Sequence, residues 1–132
     1  MVGEHFDGII RGPSDVVAFV RAWCASSPGT GRQLVLGIGA DQRLAGLAVR
    51  ADPGTSVGAD ELRLLADELG VRSVVLVTAV TGPPRRPGRR ELRAYVRIRH
   101  DAASRGVSVV DWVVTSPRHW CSLRDGVLRE AA

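Results

Sequence analysis

The ten residues from Val71 to Val80, VRSVVLVTAV, constrain this chain more than any other stretch, being almost continuously apolar and rich in β-branched side chains. A strand with one wet face alternates apolar and polar residues. A strand without that alternation is covered on both faces and lies inside a sheet. Covering it takes helices on either side, and the flanking sequence supplies them.

Pro13-Ser14-Asp15 reads as an N-cap, and the segment after it places Val16, Phe19, Val20 and Trp23 at helical spacing. Ser26 to Gly31 breaks this helix. Gln33 to Gly39 and Leu44 to Arg50 read as two strands of a hairpin with its turn at Asp41-Gln42-Arg43, and Asp52-Pro53-Gly54 ends the unit. Gly58 to Glu61 opens a second helix, with Leu62, Leu65 and Leu69 on one side and Gly70 as its stop. After the central strand comes a loop, Thr81 to Gly88, and then a third helix from about Arg90 to Ser104, stopped at Gly106. Val107 to Val114 reads as another buried strand and Trp120 to Leu123 as a short last one. Residues 1–12 and 126–132 are expected to be loose. The order predicts an α/β (α+β) fold, a mixed sheet flanked by helices, with 1–132 as a single domain and no internal repeat.

The basic residues are all arginine, 18 of them against 14 acidic residues, for a net charge of +4. With no lysine, no side chain can accept an isopeptide-linked modifier. A charge of this size points only weakly to nucleic acid. No apolar run approaches the roughly 18 residues that span a bilayer, so no membrane association is expected. Met1 to Ile10 carries Glu4, His5 and Asp7 and lacks the basic-then-apolar layout of a secretory signal, which implies a cytoplasmic location. Cys24, in a helical pattern, and Cys121, in a strand, are expected to be buried thiols rather than a disulfide.

Catalytic signatures are scarce. Zinc requires three or four Cys, His or carboxylate ligands. The only close pair is His119 and Cys121, which share one side of a strand and read as packing residues; His5 and His100 stand alone. Gly37-Ile38-Gly39 lacks the third glycine of a nucleotide loop and leads into a hairpin rather than a helix. No serine sits in a G-x-S-x-G turn, and no phosphate loop exists. No cofactor is expected.

The most unusual segment is Pro83 to Arg90 with the helix after it. Arg85, Arg86, Arg89 and Arg90 crowd a helix N-terminus, where cations oppose the macrodipole by a few tenths of a kcal/mol each. Arg90, Arg93 and Arg97 share a helical face. An anion or acidic partner would offset that cost.

From Arg72 to Leu128 the pattern resembles the RadC family, a branch of the JAB/MPN (JAMM) metalloprotease fold. The resemblance rests on the apolar strand leading into Thr78-Ala79-Val80, on Gly88 and Glu91 beyond it, on Gly106-VSVVDW, and on Trp120-Cys121-Ser122-Leu123-Arg124. The first helix at Ser14-Asp15 and the early hairpin extend it to nearly the whole chain. The resemblance implies a three-layer fold, two histidines and an aspartate that bind zinc, and a hairpin glutamate that works as general acid/base. This chain departs from each of those. Thr78 and Val80 stand at the histidine positions, Gly88 at a serine, and Glu91 alone could replace the aspartate; Ala40 to Ala51 holds no glutamate, and Asp111 is followed by Trp112 where the family has histidine.

The expectation is therefore a catalytically inactive pseudoenzyme that binds a protein partner or forms a homodimer. The alternative is a nucleic-acid-binding accessory domain using the Arg85–Arg97 cluster, in line with the family's traditional DNA-repair label. A third reading, an enzyme with a relocated site, needs Glu91, Asp111 and His119 to converge.

Overall fold

The computed structural model describes residues 7–26, 33–50, 57–80, 88–125 and 127–130. The helix break at Ser26–Gly31 beyond Ser26, the turn at Asp52–Gly54, the loop from Thr81 up to Gly88, and Arg85 and Arg86 with it lie outside them, as does His5. Helix α1 (Pro13–Ser26) is followed by strands β1 (Gln33–Ile38) and β2 (Leu44–Val49), helix α2 (Ala59–Leu69) and strand β3 (Ser73–Ala79). Helix α3 (Arg89–Ser104) and strands β4 (Ser108–Thr115), β5 (His119–Ser122) and β6 (Val127–Glu130) complete the chain.

The six strands form one mixed sheet in the order β2-β1-β3-β4-β5-β6. Every neighbouring pair is antiparallel except β3 and β4, which α3 connects. The central position predicted for the apolar run is the one observed. Val74 and Leu76 of β3 pack on one side with Leu62, Ala66, Tyr95, Ile98 and Ala102 of α2 and α3. Val75 and Val77 pack on the other with Val16, Val17 and Val20 of α1. Helices thus cover both faces, and the protein is a three-layer α/β/α structure.

Helices α2 and α3 end in the same way. Gly70 and Gly106 adopt φ of 70° and 78°, a left-handed conformation that glycine enters without steric cost. The next residue donates its N–H back into the helix, Val71 to Ala66 O and Val107 to Ala102 O, both at 2.9 Å. Each valine then leads into a strand, and Ser73 pairs with Ser108 and Val74 with Val109. The sequence predicts no internal repeat, yet Ala-x-x-x-Gly-Val recurs at Ala66–Val71 and Ala102–Val107. The two copies fall out of step just beyond it, because one residue, Arg72, separates the valine from the serine in the first copy only.

Other expectations need correction. Pro13-Ser14-Asp15 reads as an N-cap, but all three lie within α1, and Asp15 in its first turn accepts the Arg11 N–H at 2.8 Å. Part of the supposedly loose N-terminus is fastened: Ile10 N donates to Gln42 O and Leu44 N to Gly8 O, both at 2.8 Å. The supposedly loose tail contributes β6, which pairs with β5 from Ser122–Val127 to His119–Glu130. Four residues are too few for period-two alternation to stand out. The hairpin turn is a 3-10 turn at Ala40–Gln42, with Asp41 and Gln42 at φ of 58° and 62°.

Gly37 and Gly46, directly opposite each other on β1 and β2, leave room for α2. A Cβ on Gly37 would meet Leu69 Cδ1 at 3.0 Å and Leu69 Cβ at 3.2 Å. The glycine that looked like a fragment of a nucleotide loop serves close helix–sheet approach.

Candidate functional site

The motif positions that the family resemblance singles out, three for ligands and one for a serine, fall at Thr78 and Val80 at the carboxyl end of β3 and at Gly88 and Glu91 at the start of α3. Thr78 shares a face with Leu76, toward α2 and α3, because alternate strand residues point the same way. Its Oγ1 accepts the indole N–H of Trp112 at 3.0 Å, so its hydroxyl is engaged within the protein. Val80 is half-buried, offers no donor atom from its side chain, and continues the ladder by donating its N–H to Thr115 O at 2.9 Å. Gly88 has no side chain. Glu91 is exposed, and its Oε2 accepts the Gly88 N–H at 3.2 Å, closing the first turn of α3. Zinc needs at least three good ligands; one engaged hydroxyl and one carboxylate turned onto its own helix do not fit it. No group of three or more His, Cys, Asp or Glu among the described residues is placed to hold a metal ion.

Beside Thr78 lies a polar cluster that sequence reasoning missed. Gln33 is the cross-strand partner of Thr78, and Arg50 N donates to Gln33 O at 2.9 Å. The Arg50 side chain, 4% exposed, holds Glu61 of α2 with two bonds of 2.8 Å, from Nε and Nη2, while Nη1 donates to Gln33 Oε1. This bidentate geometry is the strong form of the ion pair. The Arg50 guanidinium holds the Glu61 carboxyl below its usual range, outweighing the opposing effect of partial burial. A signal did exist: Arg50 is in phase with inward-facing Ala48, so the hairpin register places it next to Gln33.

Asp111 is 3% exposed and structurally committed. It follows a bulge, because Val74 pairs with Val109 but Val75 with Asp111. Its carboxylate accepts the Ser122 hydroxyl at 2.6 Å, the Trp112 N–H at 2.7 Å and the Arg124 N–H at 3.1 Å, tying β4 to the turn after β5. His119 lies further along, at the start of β5, where its N–H donates to Ser116 Oγ at 3.2 Å. Glu91, Asp111 and His119 therefore each serve a local structure. Cys121 is a buried free thiol, and burial pushes its pKa up. The side chain of Cys24 lies outside the described residues.

The arginine cluster is the remaining candidate. Arg89, Arg90, Arg93 and Arg97 are all exposed on α3, and none forms an ion pair among the described residues. Arg99, by contrast, lies over the Tyr95 ring at 5.4 Å. Arg89, Arg93, Arg97 and His100 line a shallow groove whose floor includes Leu92 and Val96. Val96 is 53% exposed, one of three exposed large apolar side chains among the described residues. The sequence reading recognised the charges but not this apolar floor, although Leu92 and Val96 are four residues apart, the helical signal itself.

No protein-family model matches the chain, and no curated protein matches it. No helix among the described residues is long and apolar enough to cross a membrane.

Proposed function

We propose that this chain is a RadC/JAMM-like domain without a hydrolytic centre, acting in the cytoplasm as a module that binds a protein partner. The observation that carries the reading is the fate of the four motif positions, three of which the resemblance assigns to zinc ligands and the fourth to a serine. Thr78 is bonded to Trp112, Val80 is apolar, Gly88 is bare, and Glu91 closes its own helix turn. Without three ligands there is no ion to lower the pKa of an attacking water toward 7. The free thiol of Cys121 fits a reducing compartment. The arginines of α3, which lack carboxylate partners among the described residues, supply a contact surface in place of a reaction site.

The test is to titrate the protein with Zn²⁺ while following tryptophan emission, since Trp112 donates to Thr78. Metal content by mass and hydrolysis of peptide and isopeptide substrates are measured alongside. No stoichiometric zinc and no turnover are expected. One bound zinc per chain, with turnover that Glu91→Gln abolishes, overturns the reading.

A further inference from the structure

We infer that the outer face of α3 docks an acidic amphipathic helix of a partner protein, an inference that rests on the binding-module reading above. At 3.6 residues per turn, Arg89, Leu92, Arg93, Val96, Arg97 and His100 form one face. Its centre, at Arg89, Val96 and His100, points almost directly away from Tyr95, Ile98 and Ala102, which anchor the helix to the sheet, while Leu92 at its edge also packs against that core. The 16 residues of α3 span about 24 Å, the length of a four-turn partner helix.

The chemistry of the face selects among occupants. Three arginines frame a half-exposed valine, and the one carboxylate in the groove, Asp101, lies at its end beside His100 at 3.6 Å. A partner helix with carboxylates flanking an apolar stripe would satisfy the guanidiniums and cover Val96 together. A nucleic acid backbone would satisfy the arginines but has no use for an apolar floor. A second copy docked by this face would bring Arg89, Arg93 and Arg97 against their own equivalents, a repulsive pairing.

The probe is a fluorescein-labelled 18-residue peptide with leucines at helical i, i+3, i+4 and i+7 spacing and glutamates on either side. Controls are a scrambled peptide of the same composition and a 20-base-pair duplex DNA. Binding is read by anisotropy at 150 mM salt. The patterned peptide is expected to bind at least fivefold more tightly than the scrambled one. Val96→Ser is expected to weaken binding about fivefold, the worth of covering half a valine. Arg93→Ala with Arg97→Ala should weaken it by a similar or larger factor. All three side chains are exposed, so thermal melts of the variants should match wild type.

Equal binding of both peptides, no effect of Val96→Ser, no binding of either peptide, tighter binding of DNA, or a dimer in sedimentation that Val96→Ser dissolves each overturns the docking inference. Those results leave the zinc and turnover measurements standing, whereas zinc with turnover would defeat the module reading whatever the peptide does.

Discussion

Removing the Asp111 carboxylate should unfold this protein far more readily than an assignment to vanished chemistry would imply. Asp111→Ala deprives three groups of their acceptor: the Ser122 hydroxyl, the Trp112 N–H and the Arg124 N–H. Ser122 is 0% exposed and Asp111 3%, so water reaches the site poorly. An unsatisfied buried donor costs roughly 1–3 kcal/mol, and the Arg124 N–H, nearest to solvent, recovers most readily. The sum is about 4 kcal/mol, a large share of the roughly 5–15 kcal/mol that holds a domain together. Asp111→Asn should cost less, about 1–2 kcal/mol: its amide oxygen still serves the two backbone N–H groups, but its NH₂ leaves the Ser122 proton without an acceptor. Urea unfolding measures both. At a slope of ~2 kcal/mol per molar, the alanine variant should lose about 2 M in its midpoint with the slope unchanged. The Asn variant with Ser122→Ala should fall short of additivity, because the two side chains share one bond. An alanine cost below ~1 kcal/mol, or equal costs for alanine and asparagine, would refute the argument that the Asp111 carboxylate ties β4 to the turn after β5.

Two further predictions concern the other face of the sheet. Because Arg50 lowers the folded-state pKa of Glu61, their pairing contributes stability above the unfolded carboxyl's usual 4.5 and loses it as pH falls through the lower folded value. Urea midpoints from pH 7 down to 3 should therefore fall less steeply for Glu61→Gln than for wild type, and parallel curves would defeat the claim. Gly37→Ala should cost about 1–3 kcal/mol by overpacking, since the new methyl meets Leu69 Cδ1 at 3.0 Å and Val71 Cγ2 at 3.1 Å. Thermal melts should show Leu69→Ala restoring part of that loss in the double variant, and a fully additive pair would count against the close-approach argument.

The layers of this fold were legible because each rests on a local signal. Val71 to Val80 announced a doubly covered strand, and Gly70 and Gly106 announced helix stops, since the left-handed turn after a helix admits few other residues. What escaped were features created by pairing across long separations. The bond from Trp112 to Thr78 joins residues 34 apart, and that from Ser122 to Asp111 joins residues 11 apart. Neither sequence segment carries a mark of the other. The Arg50–Glu61–Gln33 cluster was within reach once the hairpin register was written out, because inward phase alone makes a lone arginine suspect. β6 was beyond reach, because four residues at a tail carry too little periodicity to separate from a loop.

The arrangement of polar groups explains why binding is assigned to the periphery. At the carboxyl end of β3 every polar side chain named has its bonds made within the protein: Arg50 with Glu61 and Gln33, and Thr78 with Trp112. A ligand entering there would have to displace buried charge-assisted bonds and would leave orphaned groups behind. On α3 the balance is reversed, because the arginines face solvent without carboxylates among the described residues and Val96 stays half-exposed. The proposed partner would gain contacts there without breaking any, so its association would be favoured at the helix face over the sheet end.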